Sequence, residues 1–136
     1  MDDIDKKIVF LLIKNARLSL QDIADKIGVS KATVGNRLKN LEKNAIIDYK
    51  ARVDFNLFSM DDVIVGLDIM PEKYIDAIEK ISRLEFVIEL YLTSGDHVAI
   101  ARIISDKNEV QDKIAMIGRI DGVRKIYPAF VQKIVK

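Results

Sequence analysis

At 136 residues, 49% apolar and 32% charged, the chain has the balance of a folded globular protein, with room for one ordinary domain or two small ones. The absence of cysteine removes disulfides, thiolate nucleophiles and the usual zinc fingers, and a single histidine, His97, leaves little from which to build a metal site or an imidazole-based catalytic pair. The net charge of +1 hides an asymmetry: residues 1–52 carry 11 Lys and Arg against 7 Asp and Glu, a net of +4, and residues 53–136 carry 11 against 14, a net of −3. A basic head on an acidic body suggests a head that meets polyanions. The charge concentrates in residues 26–43, where Lys26, Lys31, Arg37, Lys39 and Lys43 face only Glu42. A solvated helical face is the plain alternative for such a run. No stretch of about 18 apolar residues occurs, and Met1-Asp2-Asp3 lacks the basic and apolar regions of a signal peptide. A cytoplasmic protein with no membrane partner, cofactor or metal is expected.

In chain order, Asp2 is placed to cap a first helix, with Asp5 three residues on and Ile4, Ile8, Leu11 and Leu12 at helical spacing to about Ala16. Ser19 or Leu20 opens a short second helix through Lys26, and Gly28 ends it. Ser30 caps a third, whose apolar stripe is Val34, Leu38, Leu41 and Ala45. Rough alternation through Ile47, Tyr49, Ala51, Val53 and Phe55 predicts a linker strand or hairpin over 47–60. Beyond it come a strand at 62–70, a helix from Pro71 to about 83, a strand at 86–94, a turn at Ser94–His97 and a strand at 97–104. A helix capped by Asp106, with Glu109 in the capping-box position, then runs to about Gly118, and a strand covers about 123–134. The order βαββαβ predicts a ferredoxin-like antiparallel sheet with both helices on one face, and Pro128 requires the last strand to lie at an edge. Apolar residues on the other face, among them Ile64, Met70, Val98, Ile100 and Ile104, predict that a second copy covers it.

The segment Ile23-Ala24…Ile27-Gly28-Val29-Ser30…Val34…Leu38 has a small residue where two helices cross, a glycine at the turn and a serine cap. This combination is specific for a helix-turn-helix. Opposite the apolar stripe the third helix presents Ala32, Asn36, Lys39 and Lys43, flanked by Thr33 and Asn40. Its N-terminal part is the part that meets base edges, so Ala32, Thr33 and Asn36 are the readout candidates. Lys31, Arg37, Lys39 and Lys43 suit phosphates, which position a protein without reading sequence. Ser30 completes the DNA-binding set. A structural ion pair is the competing reading for Arg37. Gly35, in mid-helix, allows either a close backbone approach or no special role.

These residues carry a resemblance to the Lrp/AsnC (feast/famine) family of transcription regulators, and it spans the full length. The matching features are Asp2-x-x-Asp5-x-x-Ile8, Asn15-Ala16-Arg17, Ser30-x-x-Thr33-Val34-x-x-Arg37-Leu38-x-x-Leu41-Glu42 and the Ile46-Ile47 to Tyr49 entry to the linker. The resemblance implies an α+β protein. Residues 1–46 would be a winged-helix-like helix-turn-helix domain, 47–60 a linker, and 61–136 a βαββαβ domain for dimerisation and effector sensing. It also implies double-stranded DNA as partner, homodimers that can assemble into tetramers or octamers, and a small effector such as an amino acid. The effector would lie near the turn that here holds Gly95, Asp96 and His97. Where the family often has an aromatic residue and then Asp, this chain has His97 and Val98. His97 is read either as an exposed turn residue or as an effector- or pH-sensing group. Two alternatives stay open. A siroheme-decarboxylase-like enzyme would share the scaffold, although one histidine and a basic third helix speak against it. A low-specificity architectural DNA-binding protein would differ from a regulator in degree.

Overall fold

Local capping decides where the helices of the head begin. In α1 (Asp3–Lys14) the Asp5 N–H donates to the Asp2 carboxylate and the Asp2 N–H to the Asp5 carboxylate, each at 3.0 Å. Ser19 and Asp22 repeat this box at α2 (Leu20–Ile27), and the Ser30 hydroxyl accepts from the Thr33 N–H at 3.1 Å to start α3 (Lys31–Asn44). Each such cap contributes about 1 kcal/mol. Gly28, at φ 74°, turns the chain out of α2 in a conformation that side chains with a Cβ avoid. Ile8, Ile23, Ala24, Val34 and Leu41 are sealed between the three helices. The α3 stripe stops one position short of expectation: Ala45 is exposed because it is already the C-cap, at φ −137°.

The computed structural model describes residues 1–136, in two units, Met1–Arg52 and Val53–Lys136. The expected linker strand does not form. Residues 46–54 have no regular structure, Asp54 caps a 3-10 turn over Phe55–Phe58, and the head has no β-hairpin wing. The alternation of Ile47 to Phe55 fits a strand, but within the chain nothing supplies a ladder partner, and Ile47 is 96% exposed.

The body consists of β1 (Met60–Ile69), α4 (Tyr74–Ser82), β2 (Val87–Leu92), β3 (Ala99–Asp106), α5 (Val110–Gly118) and β4 (Val123–Phe130). The sheet order is β2-β3-β1-β4, antiparallel throughout, as the βαββαβ reading requires. Pro128 pairs with Val65 on edge strand β4, where its missing N–H costs the sheet no bond. Val63, Val65, Leu67, Ala99, Ala101 and Ile103 are buried against Ala77 and Ile81 of α4 and Val110, Ile114 and Ile117 of α5. Burying each larger aliphatic side chain contributes about 1.5–3 kcal/mol.

Two local signatures do not start the helices where expected. Pro71–Lys73 is a 3-10 turn, and α4 begins only at Tyr74. Asp106 does not cap α5: it ends β3 paired with Met60, while Glu109 precedes the helix without a side-chain cap bond and its carboxylate meets Lys113 at 3.2 Å. β4 likewise ends at Phe130 rather than near 134.

Gly122 holds the α5–β4 turn at φ 98°, and a Cβ there would lie 2.6 Å from Lys73 Cβ. The same turn accepts the Met70 N–H at 2.8 Å, and Lys73 Nζ bonds both oxygens of Asp121 at 2.8 and 2.9 Å. Gly122→Ala combines a left-handed backbone with a clash against a rigid atom. It is expected to cost about 2–4 kcal/mol, read as a lower urea midpoint of the body.

Candidate nucleic-acid interface

Three turns of α3 stand free on the side away from the core. Ala32, Asn36, Lys39 and Lys43 are exposed at i, i+4, i+7 and i+11, with Lys31 beside them at the first helical position. None of the three lysines is engaged by a carboxylate, and the Asn36 amide has no hydrogen bond within the chain. The one acidic residue of the segment is occupied elsewhere: Glu42 accepts the Tyr49 hydroxyl at 2.9 Å. Partial desolvation, reinforced by that carboxylate, pushes the Tyr49 pKa up to about 12, so the hydroxyl remains a donor throughout the neutral range. Thr33 is half-buried, and its hydroxyl lies 2.8 Å from the Ser30 hydroxyl. Both oxygens therefore serve the cap, leaving the Thr33 methyl for contact. Asn40 is held by Asn44 Nδ2 at 2.7 Å. Gly35 does not mark a close backbone approach, since an added Cβ would meet Leu20 Cδ1 at an ordinary 3.6 Å.

Arg37 departs from the expected phosphate set. Its Nη1 lies 2.7 and 2.6 Å from the two oxygens of Asp2 and 3.3 Å from Asp5 Oδ1, which ties α3 to the capping box of α1. The structural ion pair is the reading that the geometry carries. Arg37 first, and then the Asp5 N–H, hold the Asp2 pKa down to about 2. A carboxylate with a lowered folded pKa contributes stability that is complete above its ordinary value, near 4, and is lost as pH falls toward 2. Arg37→Ala should therefore lower the urea midpoint of the head's helical circular dichroism near neutrality and flatten its dependence on acid between about pH 4 and 2. A parallel loss at all pH values would contradict the pairing.

In the body, the sheet face away from the helices mixes apolar and ionic groups. Ile64 is 44% exposed and Tyr91 and Tyr127 are exposed, with Ile100 and Ile104 half-buried beside them. Val98 and Met70, expected on this face, lie outside the strands, and Val98 packs with the core. Between the isoleucines, Arg102 binds Asp62 through Nε and Nη2 at 2.8 and 2.7 Å and reaches Glu89 at 3.6 Å. The sequence offered one signal for this trio, an arginine at an alternating position between Ala101 and Ile103. Its partner in β1, 40 residues earlier, becomes visible only once the register is known.

His97 is not simply an exposed turn residue. Gly95 turns the chain at φ 107°, Thr93 Oγ1 donates to the His97 carbonyl at 2.6 Å, and the ring folds back over Gly66. There it lies 4.9 Å from the Tyr127 ring, with Nδ1 buried and unpartnered. Gly66 is what makes room, since a Cβ would fall 2.6 Å from the imidazole. Asp96 and Gly95 stay exposed.

A helix-turn-helix whose second helix keeps a bare basic face, on a chain that also carries a ferredoxin-like body, defines the class of a DNA-binding regulator. The AsnC-type helix-turn-helix domain matches residues 1–42. "HTH-type transcriptional regulator LrpA" of Pyrococcus horikoshii is 41% identical over 140 residues, covering 100% of this chain and 99% of that protein. Its namesake in Pyrococcus abyssi is 39% identical over the same shares. Among solved structures, the transcriptional regulator NMB0573 of Neisseria meningitidis, in complex with L-Met, superposes with a TM-score of 0.76 at 20% identity, covering 100% of this chain and 92% of that one.

The chain belongs to the Lrp/AsnC family of transcription regulators. It is a DNA-binding transcription regulator, and relatives that are 33–41% identical over nearly the whole chain are named transcriptional regulators, which sets the siroheme-decarboxylase alternative aside. No helix is long and apolar enough to cross a membrane.

Proposed function

We propose that α3 enters the major groove with Asn36 and Ala32 on base edges, together with the Thr33 methyl, and with Lys31, Lys39 and Lys43 on phosphates, while Ser30 and Arg37 fix the helix from behind. The observation that carries this reading is the unengaged face of α3, where an amide and three ammonium groups have no partner in their own chain. Asn pairs bidentately with adenine, and a small apolar side chain touches the thymine methyl.

The chain acts as a homodimer through the open face of its sheet, which supports larger assemblies and places two heads on half-sites related by a two-fold axis. An amino acid or similar metabolite modulates it near Gly95, Asp96 and His97, in the cytoplasm, where DNA is accessible. The L-Met complex of the structurally similar Neisseria regulator supports an amino-acid effector. The test is selection of bound duplexes from a random pool, repeated with each amino acid present. The expected product is an imperfect palindrome whose enrichment shifts with at least one amino acid. A pool that stays random would leave the α3 reading without support.

A further inference from the structure

The outer side of the head holds a second surface with a chemistry of its own. Lys7, Phe10, Leu11 and Lys14 follow one another at i, i+3, i+4 and i+7 on α1 and, with Lys26 and Ile27 at the end of α2, line an open cavity of about 340 Å³. Its floor is apolar: Leu11 and Ile27 are half-buried and Phe10 is 63% exposed, with Ile13 beside it at 73%. Its rim is cationic. None of the three lysines is paired with a carboxylate, whereas neighbouring Lys6 reaches Asp3 at 3.9 Å. Along α1, Lys7 and Lys14 stand ~10 Å apart, the rise of two helical turns, with Phe10 and Leu11 between them.

We infer that this groove docks an acidic amphipathic helix of a partner protein, with carboxylates at i and i+7 meeting Lys7 and Lys14 and bulky apolar residues at i+3 and i+4 covering Phe10 and Leu11. A helix laid in such a groove presents its anchors at this spacing. Charge and shape select this occupant together. A phosphate backbone would take the lysines but leave Phe10 and Ile13 in water, and a neutral apolar helix would leave three cations stranded at the rim. The groove is separate from the α3 face, since it uses none of Lys31, Asn36, Lys39 or Lys43.

The experiment uses the full chain and a labelled, end-capped alanine-rich peptide of about 15 residues carrying Glu at i and i+7, Leu at i+3 and Phe at i+4, a length at which such helices are marginal until bound. Anisotropy should show saturable binding that weakens at least tenfold with K7E/K14E, at least tenfold with Phe10→Ala, and at least tenfold for a peptide of the same composition in scrambled order. Sedimentation of both variants and the duplex affinity of Phe10→Ala should match the parent, because these exposed side chains carry little of the folding energy and Phe10 has no charge. Equal binding of the scrambled peptide would reduce the surface to a charge patch and overturn the proposal. A salt slope of duplex binding flattened by about two units with K7A/K14A would reassign it to DNA, a changed sedimentation coefficient would reassign it to a second copy, and no measurable binding at low salt would remove it.

Discussion

Exchanging both Lys39 and Lys43 for alanine should weaken binding to selected and random duplexes alike, by one to two orders of magnitude per head. Each phosphate contact contributes a slope of about 0.9 to the fall of log affinity against log salt, and ~1 kcal/mol near physiological salt. Removing two ammonium–phosphate pairs from one head should therefore flatten the slope by about two units and leave the ratio of specific to random binding nearly unchanged. Both ammonium groups are exposed and paired with nothing in the chain, so their removal should leave the unfolding transition in place. Equilibrium titrations at several salt concentrations read slope and ratio together. An unchanged slope would take both lysines out of the interface.

The second large effect is expected on the open face of the sheet. Ile64→Lys adds a cation beside Arg102, its cross-strand neighbour, on a face proposed to meet its own copy. Ile64 is 44% exposed in the single chain, so the substitution should be tolerated by the fold and penalised by assembly. Sedimentation should show dimers giving way to monomers at micromolar concentration. Affinity for a palindromic duplex should fall by about 10²–10⁴ as the second head stops acting as a tethered anchor. Affinity for a single half-site should stay near the parent value. Parent protein that sediments as a monomer at these concentrations would remove the basis for this expectation and for the palindrome.

Much of this fold was legible because its determinants are local. The boxes of Asp2 with Asp5 and Ser19 with Asp22, the turn at Gly28 and the cap at Ser30 lie within a few residues of what they control. Expectation failed where distant partners decide. Asp106 and Glu109 look like a capping box, but pairing of Met60 with Asp106 extends β3 through the first of them. Residues 47–55 alternate like a strand and find no ladder partner in the chain. At the interface, periodicity located the exposed face of α3 and set Arg37 at its flank. Only the return of α1 to within 2.6 Å shows that this guanidinium belongs to Asp2. His97 was readable as part of a turn, but the cradle over Gly66 and the contact with Tyr127 depend on the register of β1 with β4.

Whether α3 reads base sequence is tested most directly by selection of duplexes with the Asn36→Ala protein in parallel with the parent. Asn36 is exposed, makes no bond in the head and can be truncated without disturbing the cap at Ser30 or the ion pair at Arg37. One base position, in each half-site if the protein binds as a dimer, should relax by about 1–3 kcal/mol of discrimination while neighbouring positions and the salt slope are retained. A variant motif that superimposes on the parent's at every position would contradict base reading by α3.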